Sequence, residues 1–154
     1  MAELEQMATR LEMARDRLRA LPISDSAEPG PPDPKTGERW DRFNILGHTA
    51  EMLPFWSVQI RKALDTGGPM GREPGSSGRL EGIESGRLLG EANLRDRIEN
   101  GVASALGLVR GMAAEDLDRE IEAHGRGTLT VRVAVETFLV THLEDHAAQL
   151  AELP

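Results

Sequence analysis

Apolar residues recur at intervals of three and four over most of the chain. No run alternates with period two between hairpin turns, so the pattern predicts an all-α fold. The first segment, from about Ala2 to Leu21, carries Leu4, Met7, Leu11, Ala14, Leu18 and Leu21 at successive spacings of 3, 4, 3, 4 and 3. That is one apolar stripe on an otherwise charged helix. The second helix, 41–64, opens at Asp41, a residue suited to an N-cap. It sets Ile45, His48, Met52, Phe55, Gln59 and Lys62 on one side, with Trp56, Ile60 and Leu64 widening the face. Pro54 lies inside it, lacks the N–H that would reach Ala50, and predicts a bend one to two turns after His48. A third helix over 83–112 buries Leu88, Leu94, Ile98, Val102, Ala105 and Val109, and its five glycines either weaken it or allow close approach. The fourth, 129–153, starts after Gly125 and Gly127 with Thr128 or Thr130 as N-cap. Its stripe runs through Val131, Val135, Phe138, His142, Asp145/His146, Gln149 and Leu153.

Breaks in the pattern fall where glycine and proline gather. Of 25 Gly and Pro residues, seven lie in Pro22–Gly37 and seven in Gly67–Gly78, which marks the loops 22–40 and 65–82. Ala114–Glu122 holds five acids and one base and reads as a solvated surface connector. Four long helices with such connections predict a four-helix bundle with at least one crossover, as a single domain over 1–154.

Composition narrows the function. With 18 Lys+Arg against 26 Asp+Glu the net charge is −8, and lysine occurs only at 35 and 62. No basic face is available for counterion release, which argues against nucleic acid as a partner. No apolar run has the length of a membrane span, and charges alternate from Glu3 to Arg19 where a signal peptide would be apolar, so the expected location is cytoplasmic. The chain has no cysteine, which removes disulfides, thiolate metal sites and a protein thiol nucleophile together. Tyrosine is also absent, and with it the phenol as a general acid.

Candidate chemistry rests on histidine. T-H-L-E-D-H puts His142 and His146 four residues apart on one face of the last helix, with Cβ atoms about 6 Å apart. Both continue the inward stripe, and His48 occupies the corresponding face of the second helix. Three imidazoles from two helices fit a first-row divalent metal with open positions. The same residues also fit hydrogen-bonded core histidines. Asp145 and Glu51 each lie three residues from a histidine, and Glu144 lies between two of them. Glu51 and Asp145 are the candidates for a general base or for orienting an imidazole, and otherwise are surface acids. His124, in Gly-rich surroundings, reads as a surface residue. Trp40, Phe43, Met52, Phe55 and Trp56 gather most of the aromatics near the second helix, as core, as a pocket wall or as a dimer face. The Gly67–Gly78 loop, with Arg72 and Arg79, is either simply mobile or able to close over the site and hold an anion.

The segments TGERWDRFNILGHTAEMLPFW (36–56), GTLTVR (127–132) and VTHLEDHAAQL (140–150) resemble the DinB-like superfamily, over most of the chain and in the same order. The resemblance implies a four-helix bundle that holds a divalent metal, nickel or zinc, with iron, cobalt or manganese as alternatives, through His48, His142 and His146. It also implies a metal-dependent enzyme of the S-transferase or isomerase kind that uses a low-molecular-weight thiol such as mycothiol or bacillithiol. Two other uses of the site stay open. One is a hydrolase in which Glu51 or Asp145 takes a proton from a metal-activated water. The other is a ligand-binding or homodimeric interaction module without turnover. The small-molecule substrate is not named by the sequence.

Overall fold

In the computed structural model, which describes residues 2–154, the capping predicted at Asp41 is complete. Its carboxylate accepts from the Asn44 amide at 2.9 Å, and the Asn44 side chain accepts from the Asp41 amide at 3.1 Å. The helix it opens, α2, runs Arg42–Thr66 and closes at Gly67, whose positive φ of 81° lets its N–H reach back to Ala63. Pro54 lies inside α2 on its exposed side. Helix α1 (Ala2–Ala20) buries Leu4, Met7, Leu11, Ala14 and Leu18, the stripe read from the sequence.

The predicted third helix is two. Helix α3 (Ser77–Leu89) and helix α4 (Glu91–Gly111) meet at Gly90, where φ of 76° and ψ of 157° belong to a region that only glycine enters readily. The Gly90 N–H closes α3 on Gly86 and its carbonyl opens α4 to Leu94. The break resets the helical phase, so Leu88, expected in the core, is 89% exposed. The buried face of α3 is instead Gly82, Ile83 and Gly86. Those glycines decide how closely α3 lies on α2: a Cβ on Gly86 would run into the Phe43 carbonyl, and one on Gly82 would stand 2.6 Å from Glu51 Cβ. The loop before α3 is correspondingly shorter than predicted.

The stretch 114–122 is also not a solvated turn. A 3-10 turn (Ala114–Asp118) leads into strand β1 (Glu120–Ala123), which pairs antiparallel with β2 (Gly127–Thr130) in the register Glu120↔Thr130 and Ala123↔Gly127. Leu117 and Ile121 are 1% and 2% exposed, so this connector belongs to the core. The free edge of β1 is covered by the loop after α2: Glu122 N–H donates to Gly67, Met70 N–H to Glu122 and His124 N–H to Met70, at 2.8–2.9 Å.

Thr130, one of the two predicted caps, accepts from Val133 and starts the last helical run. This run is α5 (Val131–Val135), a π-helical turn (Glu136–Val140) and α6 (Thr141–Ala151), continuous in backbone conformation. In the bundle α1 and α2 each pack on both α4 and α6, while α3 is a fifth helix laid along α2. Leu11, Met52, Leu53, Ile60, Leu94, Leu139 and Leu143 meet in the centre. At one end Glu91, buried on α4, receives Arg42 of α2 at 2.6–3.0 Å, Arg95 at 2.9 Å and the Ser24 amide. Burial raises the Glu91 pKa, but the two guanidinium groups outweigh it and hold the carboxyl below its usual range. Arg95 also donates to the carbonyls of Leu18 and Leu21, so one ionic knot ties the end of α1 and the start of the 21–41 loop to the bundle. Among the described residues no helix is long and apolar enough to cross a membrane.

Candidate metal centre

The α2 core stripe turns His48 inward until it is only 4% exposed, and α6 brings His146 (8%) and the half-buried His142 to meet it. The π turn sits immediately before His142. The Thr141 N–H reaches the carbonyl five residues back, at Glu136, and this extra residue in the ladder sets the register of the following turn. Across it Arg10 of α1 holds Glu136 at 2.5 Å and both oxygens of Glu144 at 2.7–2.8 Å. Glu144 therefore faces α1 while its neighbours on the helix, the two histidines, face the bundle interior.

One ring nitrogen from each of His48, His142 and His146 lies within 4.8 Å of the other two. The Nε2 atoms of His48 and His142 are 3.2 Å apart. Two imidazoles bound to one ion at about 2.1 Å stand about 3.0 Å apart in an octahedral and 3.4 Å apart in a tetrahedral arrangement, so this pair is at ligand spacing. Hydrogen bonds assign the tautomers. His142 Nδ1–H donates to the Phe138 carbonyl at 3.3 Å and His146 Nδ1–H to Gln149 Oε1 at 3.0 Å, and an oxygen of either kind can only accept. Both rings then present an Nε2 lone pair to the centre. Burial acts in the same direction. It pushes the pKa of His48 down to about 2, helped by the nearby His146, and that of His142 down to about 3, and it lowers His146 as well. All three are neutral near pH 7, the state that binds metals.

A proton shared between the Nε2 atoms of His48 and His142 would join that pair, but would leave His48 Nδ1 and His146 Nε2, both buried and without a partner, orphaned in the interior. Leaving such a group unpaired costs about 1–3 kcal/mol, whereas a cation at the convergence point takes up all three lone pairs. The residues present fit a divalent metal.

These imidazoles form the floor of a cleft of about 600 Å³. Trp40, delivered by the 21–41 loop, stacks on His146 and meets His48 edge-on, with centroids 5.9 and 5.1 Å away. Trp56 and Phe138, stacked at 4.2 Å, line the cleft. The apolar cluster near α2 thus divides: Met52 is core, while Trp40 and Trp56 line the cleft. Asp145 lies exposed at the same cleft and favours protonation of His146. Glu51 holds Arg72 with both oxygens, at 2.5 and 2.6 Å. His124 is exposed and bonded to Glu73 at 2.6 Å, away from the triad. Sequence reasoning offered Trp40 as a pocket wall only beside two alternatives, and placed neither Gln149 as the partner of His146 nor the hairpin beside the cleft.

No protein-family model matches the chain, and no curated protein sequence does. Solved structures do. The mycothiol-dependent maleylpyruvate isomerase superposes with a TM-score of 0.72 at 17% sequence identity, over 98% of this chain and 64% of that one. A mutant of that enzyme gives 0.71 at 20% identity, over 97% and 61%. The fold is DinB-like. The chain spans less than two thirds of the length of either matching structure.

Proposed function

We propose that this chain is a metal-dependent enzyme that works with a low-molecular-weight thiol, as an S-transferase or an isomerase. The observation that carries the reading is the convergence of three neutral, inward-facing imidazoles at the floor of a 600 Å³ cleft, in a fold shared with a mycothiol-dependent isomerase. A divalent ion held by His48, His142 and His146 supplies a Lewis acid that lowers the pKa of a thiol brought to it. The chain has no cysteine, so the sulfur comes from a cosubstrate.

The protein's own residues do the rest. Phe138 O and Gln149 Oε1 fix the tautomers of His142 and His146. Trp40 and the Trp56–Phe138 stack wall the floor with apolar rings, which limits water there and strengthens every electrostatic interaction at it. Glu51, engaged with Arg72, positions the loop after α2. Asp145 is the acid beside the triad available to move a proton. The reading takes nickel or zinc as the resident ion, an unidentified small molecule as substrate, a cytoplasmic location and a homodimer in solution.

The test incubates metal-loaded and chelator-stripped protein with mycothiol, bacillithiol or glutathione and a chloronitrobenzene electrophile, and follows loss of free thiol. Thiol consumption only in the loaded protein supports the proposal. No metal-dependent consumption with any thiol, together with metal-dependent ester hydrolysis, would replace it with the hydrolase reading.

A further inference from the structure

Four cations line the cleft: Lys35, Arg72, Arg79 and Arg126. The two arginines that the sequence offered as anion holders are already engaged. Arg72 lies over the Phe55 ring at 3.8 Å and is paired end-on with Glu51. Arg79 donates to the Pro74 carbonyl at 2.9 Å and reaches Glu38 at 3.4 Å. Arg126 differs: its guanidinium has no hydrogen-bond or acidic partner among the described residues and rests over the Phe138 ring at 4.9 Å. Lys35 also has none, but it sits on an exposed turn with no ring beneath it.

We propose that Arg126 is an anion-recognition residue of the cleft, taking the carboxylate of a small organic acid whose other end reaches the three histidines. Placement carries the argument. The main-chain carbonyl of Phe138 receives the Nδ1–H of His142, and Phe138, Arg126 and the three histidines line one cleft. The guanidinium over the Phe138 ring and the three imidazoles therefore face one cavity of about 600 Å³, which a small acid can span. Its position is set by backbone. Gly125 and Gly127, at φ of 72° and 71°, turn the chain on either side of it, and His124 N–H anchors the tip to Met70 at 2.8 Å. A guanidinium lying on a ring face keeps its in-plane N–H groups directed outward as a fork, the geometry a carboxylate accepts in two parallel bonds.

The far end of this ligand rests on the metal-dependent reading, and the test separates the two. Zinc-treated and chelator-stripped protein are titrated with succinate, succinamide and inorganic phosphate, read by the fluorescence of Trp56, which stacks on Phe138. Succinate is expected to bind and its neutral diamide to fail. Arg126→Ala should weaken succinate by about 10- to 100-fold at unchanged zinc content, and Arg126→Lys should recover part of the loss. Equal succinate affinity in Arg126→Ala and wild type overturns the assignment, as does tighter binding of phosphate than of succinate. If Arg126→Ala weakens succinate in stripped protein while zinc treatment changes nothing, Arg126 stands and the metal-dependent reading falls.

Discussion

Three inward-facing neutral histidines make the metal-free protein sensitive to mild acid, by an amount the site itself fixes. An unfolded imidazole takes a proton below pH 6.5, while folded His48 and His142 stay neutral until about 2 and about 3. Across that window the unfolded chain binds more protons, so stability falls as pH falls, by about 1.36 kcal/mol per pH unit for each histidine. At pH 5 the two together remove about 4 kcal/mol, and His146, shifted the same way, adds to this. In a chain of 154 residues that corresponds to a drop in Tm of about 8–16 °C. Carboxylates also respond to acid, so the assay compares chelator-stripped wild type with His48→Gln/His142→Gln by urea denaturation at pH 7.5 and pH 5. Wild type should lose about 4 kcal/mol more than the double variant between the two conditions. Equal losses would show that these imidazoles protonate freely in the folded protein, and the burial argument for a neutral ligand set would be wrong.

Other consequences follow from the packing around the site. Glu91→Ala leaves Arg42 buried without its carboxylate and is expected to cost about 3–5 kcal/mol by urea denaturation. Gly86→Ala drives a methyl group into the Phe43 carbonyl, so α3 must part from α2; a loss of about 1–3 kcal/mol is expected in the same assay. Arg10→Ala removes a clasp that is about two-fifths exposed and should cost only about 1 kcal/mol in stability, with metal stoichiometry unchanged.

The bundle was legible because its core stripes are long and regular. In α1 every stripe residue from Leu4 to Leu18 is buried, and the Asp41 and Thr130 caps act where the residue types placed them. Continuity of the third helix was misjudged for a physical reason. Glycine is tolerated in helices, and nothing local marks which of several will take a positive φ; here it is Gly90, and the phase of Leu88 changed with it. The hairpin was hidden by its length. In Glu120–Ala123 inward and outward residues alternate for only four positions, and five nearby acids gave that segment the look of a surface turn. Its signal was the Gly125–Arg126–Gly127 tip. The triad was visible because i,i+4 spacing and an inward stripe are both local features. Trp40 and Arg126 reach the cleft through a long loop and a strand pairing, which are contacts that periodicity does not encode.

The central claim is that His48, His142 and His146 hold one divalent metal. It is tested most directly by elemental mass spectrometry on protein purified without a histidine tag, beside His48→Ala and His142→Ala. The predicted result is close to one nickel or zinc ion per wild-type chain and loss of that ion in both variants, each still folded by circular dichroism. Wild-type protein that stays metal-free after incubation with either ion, or variants that keep the ion in full, would contradict the account.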